Sequence, residues 1–145
     1  MPDVSSILEK LCLAPAPSGY ERECAELLIS LLSPYADVMQ RDNAGGVIAT
    51  ILGTDPEAPS IMAFAHMDTL GFIVRRVEPD GFIQVDRMGG IPEKVLPGLR
   101  LLLRTQDGGW IPGVFGNKAH HATNADEKYR VEPVTSLFVD VGATS

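Results

Sequence analysis

An α/β fold that gives way to an all-β one is what this 145-residue sequence predicts: the start of an α/β sandwich over residues 1–70, then a small all-β barrel over residues 71–145. Three observations carry that expectation. Apolar residues recur at helical spacing in two successive segments at the amino end. A run that is apolar at every position, Ile61 to Ala65, fits a strand covered on both faces. Beyond residue 70 the helical period nearly vanishes, and short β-compatible runs alternate with turn formers.

The elements follow in order. Val4, Ile7, Leu8, Leu11 and Cys12 lie on one helical face behind Asp3, a suitable N-cap, until Pro15 and Pro17 stop the pattern. Ser18-Gly19-Tyr20-Glu21 has the form of a capping box, and Cys24, Leu27, Leu28, Leu31 and Leu32 make the stripe of a second helix that ends at Ser33-Pro34. Residues 37–41 and 46–52 are predicted as a hairpin about Asp42-Asn43-Ala44-Gly45. After the strand predicted over Ile61–Ala65, residues 71–78 and 81–86 flank the turn Pro79-Asp80, and residues 99–104 and 110–114 flank Gln106-Asp107-Gly108-Gly109. Thr123-Asn124-Ala125-Asp126-Glu127 has the signals of a new helix start, and residues 137–141 suit one more strand before Gly142.

Composition narrows the function classes. Hydrophobic residues make up 45% and charged residues 21%, proportions that support a packed core and not disorder. A net charge of -7 supplies no basic footprint for nucleic acid or an anionic membrane, so neither is an expected partner. Cys12 and Cys24 fall at apolar helical positions and are expected to be small buried hydrophobes in a reducing compartment. The amino terminus shows no secretory-signal pattern and no run reaches the length of a membrane span, so the expected location is cytoplasmic.

The chemistry centres on Ala65-His66-Met67-Asp68, at the end of the apolar run. Open α/β sheets keep their ligands beyond the carboxyl ends of their strands, and an imidazole there is a metal-ligand type. Asp68, two residues on, is placed to hold the other ring nitrogen and thereby set tautomer and orientation. Spacing alone favours a plainer alternative, in which His66 is a hydrogen-bonded histidine at a strand end and Asp68 caps a turn. His120 and His121 are adjacent, so on an extended chain they point to opposite faces, and a surface loop is the better reading. Gly89-Gly90, Gly113 and Gly116 precede no Lys-Ser or Lys-Thr helix start and are read as turn glycines. Ser5, Ser6 and Ser18 are assigned to helix starts, and no Gly-x-Ser-x-Gly elbow occurs.

Pro15-Ala16-Pro17-Ser18-Gly19-Tyr20-Glu21, Ala65-His66-Met67-Asp68 with Gly71-Phe72, Asp80-Gly81-Phe82, Gly89-Gly90, Val95-Leu96-Pro97-Gly98, Gly113-Val114 with Gly116, and Asp140-Val141-Gly142-Ala143 stand in one order along the chain. In that order they resemble the M42 metallo-aminopeptidases, from end to end. The resemblance implies a zinc-peptidase-like α/β sandwich, interrupted after the first metal-ligand strand by a β-barrel dimerisation domain. On that reading residues 1–70 begin the catalytic domain, and residues 71–145 are the inserted barrel, ending near the return to the catalytic domain. The resemblance makes His66 a ligand to one of two divalent metal ions, zinc with cobalt or manganese as the other candidates. It makes Asp68 the catalytic-site carboxylate that orients His66. A peptide substrate and a homo-oligomeric assembly are implied with it.

The family pattern continues past Ser145 and supplies its remaining metal ligands and general base there. The expectation is therefore the amino-terminal part of an aminopeptidase that removes amino-terminal residues from peptides with a two-metal-activated water. The isolated chain is expected to be inactive and to hold metal weakly, because catalytic zinc takes three protein ligands. A different class stays open: a non-catalytic binding or oligomerisation module built on the barrel, with a vestigial metal half-site.

Overall fold

The computed structural model describes residues 3–143. They form two compact units that divide between Leu70 and Gly71.

In the first unit, α1 (Val4–Leu13) begins at Asp3, whose carboxylate accepts the Ser5 N–H at 3.1 Å. A side-chain acceptor at that position satisfies one of the donors that a helix start leaves without an intrahelical partner. The helix stops at Ala14, ahead of Pro15, which cannot continue it. Its stripe is only half-used: Ile7 and Leu11 are half-buried while Val4 and Leu8 stay exposed. Cys12 is exposed, against the expectation, because at i+4 spacing it shares with Val4 and Leu8 the side of α1 left in solvent; Cys24 is buried, and both thiols are free.

The second helix, α2 (Arg22–Leu32), buries Cys24 and Ala25 and half-buries Leu27, Leu28 and Leu31. Its N-cap is Glu21, without a side-chain cap, so the capping box expected at Ser18 does not form. Glu21 instead turns back and accepts the Gly19 N–H through Oε1 at 2.7 Å. Two strands, β1 (Val38–Arg41) and β2 (Val47–Thr50), then pair antiparallel, with Val38 opposite Thr50 and Arg41 opposite Val47. The turn is held by Asp42 Oδ1, which accepts the N–H groups of Ala44 and Gly46. Asx-type bonding of this kind is the reason aspartate initiates tight turns.

The strand expected over Ile61–Ala65 is absent: these residues are irregular, and Ile61, Met62 and Phe64 are 95%, 82% and 88% exposed. A central strand exists only where neighbours take its N–H and C=O groups and layers cover its faces. No strand among the described residues pairs with this run.

The second unit is a five-stranded antiparallel sheet ordered β3-β4-β7-β6-β5, from β3 (Gly71–Val77), β4 (Ile83–Met88), β5 (Arg100–Arg104), β6 (Trp110–Gly116) and β7 (Phe138–Asp140). Two hairpins supply its halves, and β7 joins them by pairing with both β4 and β6. The β3–β4 turn needs Gly81, which has a φ of +89°, a backbone state that side chains with a Cβ disfavour. Alternation puts Ile83 and Val85 of β4, Phe115 of β6 and Val139 of β7 into one core, joined by Leu96, Val134 and Leu137 from the connections. Phe72 of β3 and Leu101 and Leu103 of β5 pack on the same core, so the sheet curls around it. Phe72 meets Phe115 edge-on, with centroids 4.8 Å apart.

The helix expected from Thr123 amounts to one turn after a 3-10 segment, His120–Ala122. Asn124 does start it, donating its N–H to Glu127 Oε2 at 3.1 Å. The turn goes no further because it has no apolar face to bury: Tyr129 is 94% exposed. No helix among the described residues is long and apolar enough to cross a membrane.

Candidate functional site

The site is built where two loops of the first unit run side by side. Pro17 and Thr69 form an isolated parallel bridge, and Ala16, fully buried, accepts the Thr69 N–H through its carbonyl at 2.7 Å. This backbone tie sets residues 16–18 against residues 66–69. Tyr20 closes the turn by donating its N–H to the Pro17 carbonyl at 2.8 Å.

Within this clasp His66 and Asp68 are brought together. His66 Nδ1 lies 2.9 Å from Asp68 Oδ1 and 3.1 Å from the Asp68 carbonyl oxygen. Both partners are acceptors, so Nδ1 carries the proton and donates it. The lone pair of a neutral ring is then on Nε2. The His66 side chain is 85% exposed, and Asp68 is 41% exposed. An imidazole fixed at Nδ1 by a carboxylate and open at Nε2 is the arrangement of a metal-ligating histidine with its outer partner.

The other carboxylate oxygen of Asp68 is also engaged: Ser18 Oγ donates to Oδ2 at 2.7 Å. The Ser18 hydroxyl, and after it the His66 ring, hold the Asp68 carboxyl below the usual aspartate range, because each hydrogen bond favours the charged form. Ser18 is the residue that sequence reasoning assigned elsewhere, to a helix start. In the structure Ser18 stands four positions before the first residue of α2, too far back to cap it, and no local signal marks it for another role. Its true partner lies 50 residues away, a distance no local pattern reports.

The donor chemistry at His66 and Asp68 fits a share of a metal site and no more. One imidazole with a free lone pair can ligate, but no group of three or more His, Cys, Asp or Glu side chains that could hold an ion occurs among the described residues. His120 and His121 sit in the 3-10 segment of the second unit, both exposed. Gly113 is explained by packing, since a Cβ there would lie 2.9 Å from Val139 Cγ1.

Comparison with known proteins gives a consistent result. The sequence matches the M42 glutamyl aminopeptidase family over residues 45–145. It is 31% identical over 140 residues to a lysyl aminopeptidase of Pyrococcus furiosus, covering 96% of this chain and 40% of that protein. Among solved structures, the TET aminopeptidase of the marine sediment archaeon Thaumarchaeota archaeon SCGC AB-539-E09 superposes with a TM-score of 0.89 at 33% identity. The match covers 97% of this chain and 38% of that one. The TET1 peptidase of Pyrococcus horikoshii, described as able to assemble into a tetrahedron or a large octahedral shell, superposes with a TM-score of 0.83 at 29% identity. Here 99% of this chain and 42% of that one are covered. The chain thus spans about two fifths of the length of such relatives.

Proposed function

Since the chain belongs to the M42 glutamyl aminopeptidase family, we propose that it forms the amino-terminal part of a metal-dependent aminopeptidase acting on the free amino ends of peptides. The observation that carries this reading is the His66–Asp68 contact, 2.9 Å between Nδ1 and Oδ1, which leaves Nε2 as the ligating atom. A pair of divalent ions, when bound, would acidify a water and polarise the scissile carbonyl. His66 would hold one of those ions through Nε2. Asp68 would keep the ring in the Nδ1–H tautomer and aimed outward, and its negative charge would raise the basicity of Nε2. Zinc suits an imidazole and carboxylate set, with cobalt and manganese close behind.

On the same reading the first unit belongs to the catalytic α/β domain, and the curled sheet of the second is the inserted barrel through which copies associate. The self-contained core of that sheet, and the shells formed by the Pyrococcus horikoshii relative, support the assignment. With a single imidazole ligand in its described residues, the isolated chain would not hydrolyse peptides.

The test has two arms. Aminopeptidase activity of the full reading frame should be abolished by a chelator and restored by Zn²⁺, Co²⁺ or Mn²⁺, and His66→Ala should lower kcat/KM about a hundredfold or more. Activity indifferent to both would overturn the proposal. Titrating the 145-residue chain with Zn²⁺ should show weak uptake that His66→Ala diminishes; tight binding of two ions would mean that ligands outside His66 had gone unrecognised.

A further inference from the structure

We propose that Ser18 is the positioning residue of this site: through the hydrogen bond from its Oγ to Asp68 Oδ2, it fixes the tautomer of His66. The inference rests on the ligand reading of His66 and extends it one contact outward.

His66 is 85% exposed and Asp68 is 41% exposed, so water competes for both ends of their contact. A pair of side chains in that setting holds one geometry only if something else fixes one of them. The Asp68 carboxylate has two oxygens, and rotation about its last side-chain bond would exchange or misdirect them. Ser18 removes that freedom by occupying Oδ2 at 2.7 Å, which turns Oδ1 toward Nδ1. Its own position is not left to chance. The Ala16–Thr69 hydrogen bond and the Pro17–Thr69 bridge lock the preceding residues to the strip that carries Asp68. Behind it, the Tyr20–Pro17 turn and the Gly19 N–H bond to Glu21 Oε1 fix the following ones. The hydroxyl has no competing duty at the helix start, where Glu21 is the N-cap. A hydroxyl also has one hydrogen to donate, and here it goes to Asp68.

The consequence for chemistry is a chain of two hydrogen bonds ending on a ring whose Nε2 must be unprotonated to ligate. Without Ser18 the carboxylate can swing into water, leaving the Asp68 carbonyl at 3.1 Å as the remaining acceptor for Nδ1–H, and the form with its proton on Nε2, the nitrogen needed by the metal, gains population.

The test is spectroscopic and needs no metal. In the 145-residue chain at a pH where His66 is neutral, its ring ¹⁵N shifts should report the Nδ1–H form predominating. Ser18→Ala should shift the ring toward the Nε2–H form, Ser18→Thr, which keeps the hydroxyl, should restore the original shifts, and Ser18→Cys, a weak donor of similar size, should fall between. Zn²⁺ affinity should follow the same order, falling about threefold to tenfold in Ser18→Ala, less than the 10- to 100-fold typical of losing a direct partner of a ligating histidine. Unchanged ring shifts in Ser18→Ala and Ser18→Cys, with unchanged circular dichroism, would overturn the proposal. Failure of the ligand reading shows separately, as Zn²⁺ uptake that His66→Ala leaves untouched, and the ring shifts still decide the role of Ser18.

Discussion

At the scale of single residues, the contrast between His66 and Ser18 shows what a linear pattern can report. The pairing of His66 with Asp68 was foreseeable because the two stand two positions apart on one strip of chain, where a ring and a carboxylate come within reach of each other. The 2.9 Å contact meets that expectation. Ser18 was not foreseeable, since its local sequence offers a capping role and only the clasp between residues 16–18 and 66–69 offers Asp68. Core positions divide in the same way. Phe115 is fully buried between Phe72 and its other core neighbours, a status that its alternation in β6 suggests and only packing makes costly to change. Phe115→Ala should destabilise the second unit by about 3–5 kcal/mol, and Phe115→Leu, which keeps most of the volume, by less. Urea unfolding followed through Trp110 fluorescence, the only tryptophan of the chain and a residue of β6, measures both.

At the scale of elements, local signals prevailed wherever an element is stabilised by its own neighbours. Asp3 caps α1, the 3.6-residue stripe forms α2, and the hairpins turn at Asp42 and Gly81 as their residues demand. Elements that depend on distant partners departed from the pattern. The run from Ile61 to Ala65 has strand-like residues but pairs with no strand among the described residues, and the start at Asn124 has its signals without a face to bury. The single turn after Asn124 is held mainly by polar contacts, with Glu127 Oε2 accepting from Lys118 Nζ at 3.0 Å and from the Asn124 N–H at 3.1 Å. Lys118 first, then the Asn124 amide, hold the Glu127 carboxyl below the usual glutamate range. A depressed folded value means that this contribution is fully present above the unfolded value and is lost as pH falls through the folded one. The Asn124 amide resonance should therefore titrate with a midpoint below that of an ordinary glutamate, and Glu127→Gln should remove the step. A midpoint at the ordinary value would show that the contact does not hold in solution.

At the scale of the whole molecule, the two units differ in how completely they bury their apolar residues. The curled sheet closes on a core that includes Phe115, Leu96, Leu137 and Val139, all nearly inaccessible. The first unit buries Ala16, Cys24 and Ala25 and leaves Ile61, Met62 and Phe64 in solvent. Contiguous exposed apolar residues favour association. The chain should accordingly bind an apolar dye and self-associate in light scattering, and Ile61→Lys with Phe64→Glu should reduce both; a dye-silent monomer would contradict this. Sequence alone determined the helices, the hairpins, the change of texture at residue 70, the His66–Asp68 pair and the family resemblance, because each rests on residues close together or on motifs in a fixed order. Tertiary structure alone decided that Ser18 serves Asp68, that β7 lies between β4 and β6, and that Ile61–Ala65 forms no strand. Those outcomes depend on which distant segments are present to supply hydrogen bonds and cover, a condition that no local spacing encodes.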